Sequence, residues 1–79
     1  MTIEEVFEVV RSSTAKVLDV DTSAMTLDGT LTDLGANSLD RADIVTHSML
    51  ELNVKVPARE FKGVTDIRSL VEVLRSQVS

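Results

Sequence analysis

The stretch DLGANSLDRADI, residues 33–44, marks the start of a helix beside a single serine. Asn37 is a favoured helix cap and Asn53 a plausible stop, so we predict a helix from Asn37 or Ser38 to about Leu52. Ser38 then lies in the first helical turn, where unpaired backbone N–H groups and the helix dipole favour a phosphate on its oxygen. A simple capping role for Ser38 fits the same spacing.

Ser38 lacks the partner that a catalytic serine needs. A nucleophilic serine requires a general base within hydrogen-bond reach, and the only histidine is His47. Nine helical residues rotate the chain by about 180° and rise roughly 13 Å, so the two side chains point apart. We therefore expect no catalytic residues and no enzymatic activity in this chain, with His47 on the solvent side of its helix.

Length and cysteine content limit the chemistry that the chain can perform. Its 79 residues suffice for one small domain, which we expect to span residues 1–79. Because there is no cysteine, disulfides and Cys/His zinc sites are unavailable, and any thiol must come from a cofactor. We expect no metal site.

The charge is acidic and uneven along the chain. Residues 1–40 hold 8 acidic and 2 basic side chains, whereas residues 41–79 hold 5 and 6, and the net charge is −5. This balance argues against nucleic acid as a partner and favours a basic protein surface. No apolar run approaches the roughly 18 residues of a membrane span, and the start MTIEEVFEVV lacks a basic leader. We expect a cytoplasmic monomer that does not bind membranes.

The first helix is predicted over Ile3–Leu18. Thr2 and Glu5 have the spacing of a capping box, and apolar residues recur behind them at helical intervals, with Thr14 in a core position. Residues 19–37 read as a long loop, a feature that is uncommon in compact domains and often functional. Its apolar side chains should anchor it to the core: Met25, Leu27, Leu31 and Leu34. A calcium loop starting at Asp19 is excluded, because its sixth position is Ala24 and its twelfth is Thr30.

The last third of the chain predicts two more helices. Pro57 suits the first position of a short third helix over residues 57–61, closed by Gly63. Thr65 is predicted to cap a fourth helix, whose apolar stripe comprises Ile67, Leu70, Val71 and Leu74. The alternating VKV at residues 54–56 has no partner strand, so we predict an all-α, four-helix bundle.

The second helix has more apolar surface than one core requires. At 100° per residue, one sector can face the core and comprises Ile44, Val45, Ser48 and Leu52. A second apolar sector comprises Leu39, Ala42, Thr46, Met49 and Leu50. Exposed apolar patches commonly mark interaction sites, although a helix that is simply more buried than usual gives the same pattern.

Three segments resemble the acyl carrier protein family: DLGANSLD before the second helix, VPAREF after it and VTDIRSLVEVL at the end. The resemblance covers essentially the whole chain. It implies a four-helix carrier bundle with a long first loop and a short third helix. It also implies a 4′-phosphopantetheine, derived from coenzyme A and joined by a phosphodiester to Ser38, whose thiol holds acyl groups as thioesters.

The same resemblance implies partners and a docking surface. The partners would be a phosphopantetheinyl transferase, an acyl-loading acyltransferase, and either a ketosynthase or an enzyme resembling 3-hydroxy-3-methylglutaryl (HMG) synthase. The partner-binding residues would be Leu39, Asp40, Arg41, Ala42, Asp43, Thr46 and Met49. Two residues depart from the family pattern: Asn37 replaces an aspartate, and Arg41 adds a cation that could approach the phosphodiester or select a partner.

The run SLDRADI, residues 38–44, is most similar to stand-alone carriers of polyketide β-branching cassettes, which donate acetyl to an HMG-synthase-like enzyme. The Met1 start fits a free-standing protein, as it would an excised domain. Two alternatives stay open: a carrier for another fatty-acid, polyketide or nonribosomal pathway, and an unmodified helical adaptor that binds a partner through the second helix.

Overall fold

Residues 1–78 are described by a computed structural model, in which three α-helices are joined by two short 3-10 turns. In chain order these are α1 (Ile3–Leu18), a first 3-10 turn (Thr32–Leu34), α2 (Ser38–Leu52), a second 3-10 turn (Ala58–Phe61) and α3 (Ile67–Gln77). Residues 1–78 contain no strand, which confirms the all-α class. None of the helices in this range is long and apolar enough to span a bilayer.

The start of α1 is fixed by the predicted capping box. The Thr2 amide donates to Glu5 Oε1 at 2.9 Å, and the Glu5 amide donates to Thr2 Oγ1 at 3.1 Å. Donation from the Thr2 amide, and secondarily from the Thr2 hydroxyl, holds the pKa of the Glu5 carboxyl below its usual value. The helix ends where Asp19 adopts a left-handed conformation at φ 54° and donates its amide to Ala15 O. The predicted bounds of the first helix are therefore confirmed.

The core lies where the three helices meet the long loop. Its buried side chains include Val6 and Val10 from α1, Ile44 from α2 and the predicted stripe of α3, Ile67, Leu70, Val71 and Leu74. Met25 and Leu31 of the loop are buried against them, with Leu27 and Leu34 half-buried, as their spacing predicted. The buried hydroxyls of Thr14 and Ser48 donate to the carbonyls of Val10 and Ile44, four residues earlier, so neither is unpaired.

The long loop is attached to the start of α3 through the backbone. The amides of Ile67 and Arg68 donate to Gly29 O and Leu27 O, each at 2.9 Å. Arg68 also forms an ion pair with Asp28 at 2.9 Å. These bonds satisfy helix-start amides that would otherwise be free, and they place the loop beside the N-terminal end of α3.

Two predictions about the last third of the chain are wrong. The predicted short third helix over residues 57–61 is not an α-helix: Ala58–Phe61 form a four-residue 3-10 turn, in which the Glu60 amide bonds to Pro57 O three residues back, so a fourth α-helix is not seen within residues 1–78. Four residues are too few to add an α-helical ladder to that turn. The cap of α3 is Asp66 and not Thr65, because the Asp66 carboxylate accepts the Ser69 amide at 2.8 Å.

Candidate functional site

Ser38 is the first residue of α2, and its side chain is exposed. The chain reaches it through a sharp reversal: Gly35 adopts φ 91°, a conformation that favours glycine, and donates its amide to Thr32 O. Ala36 is then buried and bonded to Leu31 O at 3.2 Å, which anchors the chain two residues before the serine. The Ser38 hydroxyl is thus displayed from a fixed piece of backbone.

The capping residue of α2 is Asn37, one residue before the serine. Its side chain accepts the Asp40 amide at 2.8 Å, and its own amide donates to Asp40 Oδ2 at 3.2 Å. Asparagine therefore performs the capping expected of this position. Asp40 was predicted only as part of the partner surface, although the Asn-x-x-Asp spacing is a local signal for this capping role.

Two backbone N–H groups beside the serine are left without a partner. Within residues 1–78, neither the Ser38 amide nor the Leu39 amide donates a hydrogen bond, because the capping box occupies only Asn37 and Asp40. Both amides lie in the first turn of a 15-residue helix, at the positive end of its dipole. This arrangement fits a phosphate on the Ser38 oxygen, since phosphate accepts such bonds and its charge is favoured there.

His47 bonds to a different serine. Its Nδ1 lies 2.8 Å from Oγ of Ser13, a fully buried residue of α1. The prediction that His47 sits on the solvent side is wrong, because the half-buried ring forms a polar contact between α1 and α2. The Ser38 hydroxyl, for its part, has no hydrogen-bond partner within residues 1–78, so the arrangement offers it no base.

An open cavity of about 410 Å³ runs beside Ser38, between α2, the second 3-10 turn and the start of α3. Ser38 and Arg41 line it, together with Val45, Met49 and Phe61. This cavity was not predicted, because it depends on how residues 56–66 pack against α2. It explains why Val45 and Met49 are only half-buried.

Asp66 also lines the cavity, and its carboxylate is engaged in capping α3. The Ser69 hydroxyl donates to Asp66 Oδ1 at 2.6 Å, and the Ser69 amide donates to it at 2.8 Å. Both bonds lower the pKa of the Asp66 carboxyl, and the bond from the Ser69 hydroxyl has the larger effect. The group is therefore an anion committed to the helix cap.

The outer side of α2 displays much of the second apolar sector. Leu39 and Leu50 are each 76% exposed, and Ala42 and Thr46 are exposed as well. The remaining residues predicted to bind partners divide into two groups: Arg41 and Asp43 are exposed, whereas Asp40 and Met49 are half-buried. A contiguous exposed apolar patch rimmed by polar side chains is the kind of surface that commonly binds another protein.

Comparison with known proteins places the chain in a protein family. Residues 8–74 match the family model described as "Phosphopantetheine attachment site". The chain is 37% identical over 76 residues to the polyketide biosynthesis acyl-carrier-protein AcpK of Bacillus subtilis, covering 95% of this chain and 93% of that protein. It is 33% identical to the acyl carrier protein of Thermotoga maritima, covering 95% and 94% of the two chains.

A third relative is much larger. The non-reducing polyketide synthase pkbA of Emericella nidulans is 32% identical over 72 residues, which cover 91% of this chain and 3% of the synthase. The family match and the near full-length relatives establish that the chain belongs to the acyl carrier proteins, whose cofactor is phosphopantetheine. Members of this family are carriers and not enzymes.

Proposed function

We propose that Ser38 carries the phosphopantetheine and that this single domain presents acyl groups on it to biosynthetic enzymes. The observation that supports this most strongly is the exposed Ser38 hydroxyl beside the two unpaired amides of Ser38 and Leu39. A phosphate at that position gains donors and the favourable end of the helix dipole. The bound group supplies a thiol, which a chain without cysteine lacks.

Attachment requires chemistry from outside the chain. The Ser38 oxygen must attack the phosphorus of coenzyme A that carries the pantetheine. A P–O bond to Ser38 then forms, the P–O bond between that phosphorus and the nucleotide part breaks, the nucleotide leaves, and the hydroxyl proton passes to a base. No base contacts Ser38 within residues 1–78, so we propose that a phosphopantetheinyl transferase supplies the base. Asn37, in place of an acidic residue, preserves the cap without adding a charge beside the reacting oxygen.

The proposed pathway is polyketide biosynthesis. The names of the Bacillus and Emericella relatives support this assignment. Within it, we propose that the protein, loaded by an acyltransferase, donates acetyl to an HMG-synthase-like β-branching enzyme; the support is the run SLDRADI at residues 38–44. Delivery to a ketosynthase of the same or another pathway is the alternative. The expected cytoplasmic location and monomeric state stay predictions.

The proposed docking surface is the exposed side of α2. It comprises the seven residues named from the sequence, Leu39, Asp40, Arg41, Ala42, Asp43, Thr46 and Met49. The exposed Leu39 offers an apolar anchor, and Asp43 offers a charge for a basic partner. The Asp40 carboxylate is less available to a partner, because it accepts a hydrogen bond from the Asn37 amide.

Intact mass after incubation with coenzyme A and a transferase tests the attachment. The wild-type protein should gain the mass of one phosphopantetheinyl group, and Ser38→Ala should gain none. The matched control is Ser12→Ala, which removes an exposed hydroxyl from α1 and should be modified like the wild type. Because Asn37 is the cap, Ser38→Ala should change stability by no more than about 0.5 kcal/mol. Modification of Ser38→Ala would contradict the proposal.

Acetyl transfer distinguishes the specific role from its alternatives. The acetyl-loaded protein should transfer its group to an HMG-synthase-like enzyme faster than a fatty-acid carrier loaded with the same group does. Equal rates would contradict the specialised donor role while leaving the carrier role intact. An unmodified adaptor, in contrast, would retain its biological function in the Ser38→Ala variant.

A further inference from the structure

Arg41 lies one helical turn after Ser38 and lines the same cavity. Residues three apart on a helix have Cβ atoms about 5–6 Å apart and can interact. The Arg41 side chain, with its long flexible stem, can therefore bring its guanidinium to a group attached to the Ser38 oxygen. Among residues 1–78, no other arginine or lysine lines this cavity.

The charge of Arg41 is not neutralised by the protein. Across residues 1–78 the ion pairs join Arg11 to Glu8 and Arg68 to Asp28, and Arg41 forms neither an ion pair nor a side-chain hydrogen bond. Two carboxylates are engaged elsewhere: Asp40, next to Arg41 in the sequence, accepts the Asn37 amide, and Asp66, which lines the same cavity, caps α3. The guanidinium is an exposed cation beside the cavity.

We propose that Arg41 is a positioning residue, whose guanidinium binds the phosphodiester on Ser38 and keeps the adjoining arm along the cavity between α2 and the second 3-10 turn. This inference rests on the proposed attachment at Ser38. Arginine is suited to the role, because its planar donors match phosphate oxygens and its charge is permanent. Phosphate binding by Arg41 adds to the two free amides at the start of α2.

The acidic residues of α2 make a cation near the phosphodiester electrostatically favourable. Asp40 and Asp43 follow Ser38 within the first two turns of α2, and a phosphodiester carries a further negative charge. Like charges on one short segment repel one another, which would favour an arm extended away from the helix. Arg41 offsets that repulsion on the cavity side, where Val45, Met49 and Phe61 provide apolar contact for the arm.

Nuclear magnetic resonance of the isotopically labelled holo protein, without any partner enzyme, tests the proposal. The Arg41 Nε–Hε signal should shift when the apo protein is converted to the holo form, and the ³¹P resonance should move in Arg41→Gln. The matched control is Arg59→Gln, which removes an exposed cation from the second 3-10 turn that does not line the cavity. That control should leave the ³¹P resonance at its wild-type position.

Two further measurements separate phosphate binding from a general effect of charge. Arg41→Lys should restore part of the ³¹P shift, because it keeps the charge and loses the planar donor pair. Raising the salt concentration to about 0.5 M should move the wild-type ³¹P resonance toward that of Arg41→Gln, because salt screens exposed charges.

The outcomes distinguish this inference from the proposed function. If mass spectrometry shows one phosphopantetheinyl group on Ser38, but the Arg41 Nε–Hε signal does not shift between apo and holo protein and the ³¹P resonance of Arg41→Gln stays at the wild-type position, the positioning role of Arg41 is overturned and attachment stands. If the wild-type protein gains no mass, the proposed function itself is overturned, and the Arg41 role with it.

Discussion

The side chains and amides of Asn37 and Asp40 bond reciprocally, at 2.8 and 3.2 Å, and so fix the start of α2 on either side of Ser38. The amides of the capping residue and of the third helical residue are both used as donors in these two bonds. As a result, the amides of Ser38 and Leu39 between them are the ones left to bind a phosphate. The cap and the proposed attachment site are therefore one local structure.

Replacing the cap should destabilise the protein. Asn37→Ala removes the acceptor of the Asp40 amide and should lower the free energy of unfolding of the apo protein by about 0.5–2 kcal/mol. Urea denaturation measures this change. Asn37→Asp is the matched control, because aspartate caps as well as asparagine, and it should be close to the wild type. Equal stability of Asn37→Ala and the wild type would contradict the capping role.

The hydrogen bond between Ser13 and His47 should stabilise the packing of α1 on α2. A double-mutant cycle with Ser13→Ala and His47→Ala should give a coupling of about 0.5–1.5 kcal/mol in the free energy of unfolding. Ser12→Ala is the control: its side chain is exposed next to Ser13 and its loss should cost less than about 0.5 kcal/mol. Purely additive effects of the two substitutions would show that the 2.8 Å contact does not stabilise the protein.

The cap of α3 should contribute to acid unfolding. The pKa of the Asp66 carboxyl is lower in the folded protein than in the unfolded chain, because the Ser69 hydroxyl and amide donate to the carboxylate. Its stabilisation is therefore complete above the unfolded-state pKa of about 4 and is lost as the pH falls through the lower folded-state pKa. Asp66→Asn keeps a capping side chain without the titration, so its stability should fall less steeply below about pH 4.

Unfolding free energies of the wild type and Asp66→Asn, measured across this acid range, check that prediction. The slopes should differ below about pH 4 and agree near neutrality. Parallel curves throughout the acid range would mean that Asp66 titrates alike in both states, against the geometry of its cap.

The exposed side of α2 should determine how partners dock. Asp43→Lys reverses a charge on that side, and Ala42→Trp adds bulk to it, so each should lower kcat/KM for acyl transfer from the loaded carrier to a partner enzyme. Steady-state transfer kinetics measure this. Glu72→Lys makes the same charge reversal at an exposed position on α3 and should transfer at the wild-type rate. A loss in Glu72→Lys as large as in Asp43→Lys would point to net charge instead of a docking surface.

Local signals predicted much of this fold. The Thr2–Glu5 spacing and the Asn37 cap were sufficient for α1 and α2, because caps are formed by residues close in sequence. The two wrong predictions, the cap of α3 and the type of helix at residues 57–61, concern positions where the local sequence fits two conformations almost equally well. Thr65 and Asp66 are both good caps, and packing of Ile67 into the core decides between them; a proline-led segment such as residues 57–61 fits either kind of helix.

The candidate site likewise combines features that have a local signal in the sequence with features that have none. Ser38 was found from its position at a helix start, but the contact of His47 with Ser13 joins residues 34 apart and has no local signal. The cavity beside Arg41 arises where segments distant in sequence meet, including Phe61 and Leu70. Such features depend on tertiary packing, which periodicity along one helix cannot reveal.

Mass spectrometry of the protein purified from its native host tests the central claim most directly. Fragmentation of the intact protein should locate one phosphopantetheinyl group on Ser38, with any acyl cargo seen as additional mass that is lost when the arm is cleaved. A protein whose Ser38 is unmodified in cells that contain an active transferase, or whose modification maps to another residue, would contradict the account.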